Sequence, residues 1–386
     1  MVEPSDMIIF WAVVLSRLLV PLLIPRYPLP AVLAALVLDG VDQTIFQQFT
    51  NLPLDGYQSY DKALDIYYLT IAYISTMRNW ANRPAFQVNR FLIYYRLVGV
   101  VAFELSQLRA LLLIFPNTFE YFFIFYEAVR ARWNPLRMNK RVVIAAAAVI
   151  WVVIKLPQEY WIHVAQLDVT DFIKETIFGM PLTASWTEAV ANRPWVLALA
   201  AVALIALFFL ARWLLTKLPP ADWSLKLEAD PLPEAIDERR EQLALAAQAR
   251  ILRPALLEKI VLVSLVSLIF ANILPGVRAT AIQLYAAIAF VIVVNALLSH
   301  WLATRGRGWE SIAREFLIMA LVNLGIVYVA HFLLLRGGGA LHLQITLFFV
   351  LLLTLIVTLY DRYHVVYEAR FAHREREEKA ASSILP

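Results

Sequence analysis

Apolar runs of about 20 residues recur from one end of this chain to the other, and most of them end at an arginine, a lysine or a proline. At 1.5 Å of rise per residue such a run matches the hydrocarbon thickness of a bilayer. A helix buried in a soluble core would keep a polar face, which runs such as WVLALAAVALIALFFLARWLL lack. With 61% hydrophobic and 17% charged residues, and a mean hydropathy of +0.66, the expected class is an all-α, polytopic integral membrane protein.

Taken in order, the runs give about eleven transmembrane spans. Five of them, Asp6–Ile24, Leu29–Phe49, Asp61–Trp80, Phe91–Phe115 and Thr118–Trp133, fall in an N-terminal unit over residues 1–141. Residues 142–218 supply two more, Val142–Leu156, closed by Pro157, and Trp195–Leu215. Between these two lie a pair of short interfacial helices, with Thr170 as an N-cap and Ser185 and Glu188 at capping-box spacing. A charged, helical cytoplasmic linker is expected at 219–255, and four spans at 256–360: Leu256–Leu274, Ala279–Leu302, Ile312–Leu335 and Leu341–Tyr360, the last two joined by a Gly337–Gly339 turn. A cytoplasmic tail over 361–386 begins as a helix and ends in disorder.

The positive-inside rule then assigns sides. Arg26, Arg78 to Arg90, Arg130 to Arg141, Arg212 with Lys217, Arg305 to Arg314 and the Arg-rich tail fall on one side; Glu3, Asp6, Asp55, Glu159, Asp168 and Asp171, together with Arg278 and Arg336, fall on the other. This places the N-terminus outside and the C-terminus in the cytoplasm, in a membrane of the bacterial cytoplasmic type. The first run carries acids and no basic leader, which reads as a retained helix.

Several spans carry charges that a bilayer penalises by roughly 2.5 to 3.5 kcal/mol each, so these groups require partners, water or a ligand. Asp39 and Asp42 stand three residues apart within one run, and Asp61 and Asp65 stand four apart in the next, so each pair faces one way. Depth counting puts these four with Glu104 and Glu120 toward the outer half. Arg17, roughly 16 Å in from Asp6, falls at the depth of Asp39 and is its expected partner. Arg109 follows Glu104 by five residues, about 140° around a helix, and is expected to pair with a neighbouring helix. Arg96, Glu127 and Arg130 form a second group nearer the cytoplasm, and Glu120 and Glu127 share one helix face.

This pattern supports three chemistries. The six acids Asp39, Asp42, Asp61, Asp65, Glu104 and Glu120 could form a protonatable or cation-binding path in an ion-coupled transporter or channel, where unwinding at Gly40 would help. The same aspartates could chelate a divalent cation, Mg²⁺ or Mn²⁺. Asp39–Gly40 with acid pairs on adjacent runs is similar to the motif of the intramembrane CDP-alcohol phosphotransferases. That resemblance implies a metal held by Asp39, Asp42, Asp61 and Asp65 and diphosphate chemistry on a lipid-linked substrate. It covers about thirty residues, and the chain departs from the motif at Leu36, Gln43, Thr44 and Gly56. A third reading makes the charges interhelical ion pairs in an assembly subunit.

A net charge of +4 scattered over span ends reads as topology signals, and no nucleic-acid partner is expected. The expected partners are the lipid bilayer and a small ion or solute. There is no cysteine, and no phosphate loop, nucleophile elbow or HExxH pattern.

Overall fold

The computed structural model describes residues 4–51, 57–165, 169–232, 234, 254–273, 289–297, 312–334 and 343–384. Every regular element among them is helical. Five helices are long and apolar enough to cross a membrane: Pro4–Leu23, Pro28–Phe49, Lys140–Val164, Trp195–Lys217 and Leu347–His373. The elements used below are α1 (Pro4–Leu19), α2 (Pro28–Phe49), α3 (Tyr57–Asn79), α4 (Arg83–Ser106), α5 (Ala110–Ile114) and α6 (Thr118–Arg130). They continue with α7 (Lys140–Val164), α8 (Trp186–Asn192), α9 (Trp195–Lys217), α10 (Pro254–Ile273), α11 (Ile312–Leu334) and α12 (Leu343–Ile384).

The centre of the fold is α3. From Leu64 to Met77 nearly all of its side chains are buried, and α1, α2, α4, α10 and α12 all pack on it. A helix buried all round needs neighbours, not an apolar surface, which is why α3 carries Ser, Thr, Tyr and Asp without being exposed. One hydrophobic cluster runs from Ile24 through α3, α4 and α6 to Leu262, Ile269 and Tyr360, so helices from both ends of the chain share a core. Three polar bonds tie the same regions together. Tyr73 Oη donates to Glu258 Oε1 at 2.7 Å, Tyr94 Oη donates to the Glu258 carbonyl at 3.3 Å, and Lys259 pairs with Asp361 at 2.7 Å. In the C-terminal helices Asn295 Nδ2 donates to Asn323 Oδ1 at 2.8 Å and Asn323 Nδ2 to Thr354 Oγ1 at 2.9 Å. Such a buried polar chain pins helices where packing alone specifies little.

Several expected boundaries are corrected. The run Phe91–Phe115 is not one helix: α4 stops at Ser106, Gln107 takes a left-handed conformation (φ 58°) with its N–H on the Phe103 carbonyl, and α5 begins after Arg109. A left-handed residue just past the last turn satisfies orphan carbonyls and ends a helix. The return is tight. A Cβ on Gly99 would stand 2.1 Å from Phe115 Cβ, so only glycine admits this approach. Pro157 does not end α7, because π turns over Ile150–Lys155 and Tyr160–Val164 flank Leu156–Glu159 and shift the hydrogen-bond register around the missing N–H. Thr170 is not a cap, since it lies inside the helix Val169–Phe172. The Ser185/Glu188 capping box forms as expected. The tail begins as a helix, as expected, and stays helical where disorder was expected to follow: α12 continues from Tyr360 without a break to Ile384, and Tyr367 packs on Phe86 with ring centroids 4.5 Å apart. The expected Gly337–Gly339 turn, Asp55, Asp168 and most of the linker helix at 233–253 lie outside the described residues.

The contrast with α9 is sharp. All of its residues except Val196 are exposed, and this helix of about 35 Å is long and apolar enough to cross a membrane.

Candidate functional site

The polar core begins at Arg17. α1 gives way to a 3-10 turn at Val20–Leu23, where Pro21 interrupts the helix, and Tyr67 Oη bonds the Leu18 carbonyl at 2.9 Å. One turn before this join the buried Arg17 guanidinium pairs with Asp39 and Asp42 of α2 and reaches Asp61 Oδ1 of α3 at 2.7 Å. The pairing with Asp39 was expected, and the structure adds two more carboxylates. They differ in exposure: the Asp42 side chain is 0% exposed, those of Asp39 and Asp61 27% and 35%. Asp42 therefore depends most on the arginine. The i,i+3 spacing of Asp39 and Asp42 aims both at one guanidinium, with α2 helical straight through Gly40. The expected unwinding at Gly40 is absent, and nothing lies within 4 Å of a Cβ built there.

A second group lies one turn along α3. Asp65 has Glu120, Arg96, Asp61 and Arg17 as its charged neighbours. Glu120 stands in the first turn of α6, just after the Pro116 break, where the helix dipole favours an anion. It accepts a hydrogen bond from Tyr68 Oη and another from Asn117 Nδ2 at 3.1 Å. The backbone N–H of Asn117, the N-cap of α6, goes instead to Glu159 Oε1 of α7 at 3.0 Å, and His163 Nε2 stands 3.0 Å from Glu159. Lys155, buried one turn before Glu159, bonds Gln158 Oε1 at 3.0 Å, lies 4.1 Å over the Tyr121 ring and has Glu120 and Glu159 as its nearest carboxylates. The sequence reading missed Lys155, Glu159, Tyr68 and Asn117 as members of the site. The available signal was Lys155 and Glu159 at i,i+4 spacing inside an otherwise apolar run.

Three expected members are placed elsewhere. Glu104 pairs with Lys62 at 3.3 Å at the edge of the group. Arg109 is exposed beside α5 and belongs to no described ion pair, because the break at Gln107 swings it out of α4. Arg96 does not join Glu127 and Arg130. Its Nη1 donates to the Phe115 carbonyl at 3.1 Å, satisfying a C-terminal carbonyl of α5 that the tight return brings alongside. Glu127 and Arg130 pair at 2.6 Å as expected, and Trp80 Nε1 donates to Glu127 at 2.7 Å. Glu120 and Glu127 thus both face α3.

Aspartates 39, 42 and 61 converge on a guanidinium, not on an open centre. Among the described residues there is no group of three or more His, Cys, Asp or Glu side chains arranged to hold a metal ion. The donors of the metal reading are present, but Arg17 occupies the point where their oxygens meet.

Fold and site together define a class: an all-helical protein with helices compatible with a bilayer, built round a buried core rich in acids. Comparison adds no closer identification, since no family model, curated protein or solved structure matches the chain.

Proposed function

We propose that this chain is a membrane protein of about eleven spans, with its N-terminus outside and its C-terminus in the cytoplasm, that binds and moves a small cation, protons included, at carboxylates of α2, α3 and α6. The observation that carries this reading is a charge imbalance among the described residues. Asp39, Asp42, Asp61, Asp65, Glu120 and Glu159 gather round only three full cations, Arg17, Arg96 and Lys155. A half-buried or buried excess of carboxylate in a low-dielectric setting is neutralised by protons or bound cations. Asp65, Glu120 and Glu159 have no direct arginine bond, and Glu159 is held by the Asn117 N–H with His163 beside it, which leaves Asp65 and Glu120 as the groups to exchange cargo. The higher span count draws support from α3, α4, α10 and α11. Each runs 20 to 24 residues, or about 30 to 36 Å, and α3 and α4 carry polar side chains among their apolar ones.

The test is flux in proteoliposomes. Asp65→Asn and Glu120→Gln are expected to abolish cation or proton movement, or to shift its pH dependence, with unchanged expression and melting behaviour. Wild-type flux in both folded variants would remove the proposal.

A further inference from the structure

At the opposite pole the structure gathers cations. Pro25 and Pro28 turn the chain between α1 and α2 and expose Arg26. Arg78 stands in the last turn of α3, and the irregular strap 219–232 crosses both. The strap is stitched down by backbone bonds: Ala229 N to the Arg26 carbonyl at 2.7 Å, Lys226 N to the Ala131 carbonyl at 2.9 Å, and Asp222 N to the Arg132 carbonyl at 3.0 Å. Trp223 Nε1 adds a bond to the Arg130 carbonyl at 3.1 Å. Between strap and helices lies a cavity of about 740 Å³, within the size range of small-ligand sites. Leu22, Leu225 and Tyr363 form its apolar wall, and Arg26, Arg78 and Lys226 its cationic one, with Glu228 at the rim.

The pairing of these charges is uneven. Arg26 is held by Glu228 at 2.9 Å, with both side chains well exposed, and Lys226 pairs with Asp230. Arg78 differs. It is half-buried, its Nη1 donates only to neutral oxygens, the Pro25 carbonyl at 3.2 Å and Asn79 Oδ1 at 2.6 Å, and no described carboxylate pairs with it. Three cations thus line the cavity against one carboxylate, Glu228; with Asp230, which pairs with Lys226 from outside the lining, two of the three are matched and Arg78 carries the surplus charge. A guanidinium presents parallel donors suited to a phosphate oxygen pair, and the flanking arginine and lysine can release their exposed carboxylates to it at little cost.

We infer that this cavity is a binding site for a phosphate monoester or diester, seated on Arg78 with Arg26 and Lys226 closing over it. The apolar wall would take the adjoining aliphatic part. The chemistry is shared by an anionic lipid headgroup and a soluble phosphate, and the inference does not depend on cation transport at the acidic pole.

The experiment uses the full chain, purified in neutral detergent or in phosphatidylcholine nanodiscs. Inorganic phosphate and glycerol phosphate are titrated in one arm, and phosphatidylglycerol is admitted to the nanodiscs in the other, with binding read by native mass spectrometry and thermal shift. Saturable binding in either arm is expected, weakening with ionic strength. It should fall about ten- to a hundredfold in Arg78→Gln, as expected for loss of hydrogen bonds from a charged donor, and less in Lys226→Gln. Arg141→Gln, at a residue that does not line the cavity, should bind as wild type. Binding only in the lipid arm assigns a headgroup, and binding only in the soluble arm assigns a free phosphate. Absence of binding in both arms, or equal binding in wild type, Arg78→Gln and Lys226→Gln, overturns the inference. The exposed Lys226 keeps the test valid should Arg78→Gln fail to fold.

Discussion

Replacing Arg17 by Gln leaves three carboxylates facing each other without their common cation. Breaking a buried ion pair by removing one partner costs about 3 to 5 kcal/mol, most of it the penalty of an uncompensated buried charge. The three acids do not share that penalty equally. Asp39 and Asp61 are partly exposed and can be screened by solvent or headgroups, whereas Asp42 is sealed. Arg17→Gln is therefore expected to destabilise by about 3 to 5 kcal/mol, and Asp42→Asn on that background should restore more than half of the loss. Asp39→Asn or Asp61→Asn should restore only a minor part. The assay is reversible unfolding in mixed micelles, read as a double-mutant cycle for each aspartate. Equal rescue by all three aspartates, or none by Asp42→Asn, would show that burial does not rank these pairs and would refute the reasoning.

Three further outcomes follow from particular contacts. Gly99→Ala drives a methyl group into Phe115 and should destabilise by at least about 1 to 3 kcal/mol. A neutral result would mean that the α4–α5 return is looser than the structure has it. Asn323→Leu removes the bonds to both Asn295 and Thr354 and should cost about 1 to 2 kcal/mol in the same unfolding assay, whereas an unchanged midpoint would count against the polar chain. Glu188 completes the capping box of α8, and hydrogen bonds from the Ser185 N–H and hydroxyl hold its carboxyl below the usual range. Its contribution is present above the unfolded carboxylate value of about 4.3 and is lost as pH falls through the lower folded value. Trp186 fluorescence should report unwinding of α8 below about pH 4 in wild type and no such step in Glu188→Ala.

What could be read from the sequence was whatever short range dictates. Apolar run length announced the helices, the i,i+3 spacing of Asp39 and Asp42 announced that both face one way, and Ser185-x-x-Glu188 announced a capping box. Depth counting found Arg17. Failures came where long-range packing overrides a local rule. Pro157 signals a stop, yet a change of hydrogen-bond register carries α7 past it. Nothing in SQLR announces that Gln107 will turn left-handed, and that single residue moved Arg109 out of the core and brought Phe115 to Arg96. Lys155 and Glu159 seemed to belong to a helix end because Pro157 stands between them; once α7 is continuous they point into the site.

The most direct test of the central claim is the number of protons and cations the protein holds at its acidic pole. Infrared difference spectra of proteoliposomes, taken on adding or removing protons and candidate cations, read the carboxyl bands of Asp65 and Glu120 against Asp65→Asn and Glu120→Gln. The account predicts ligand-dependent bands that vanish in those variants and keep their wild-type form in Glu104→Gln, which lies at the edge of the group. Carboxylate bands that stay constant across pH and every cation tried would contradict it, and would leave the acidic core as packing alone.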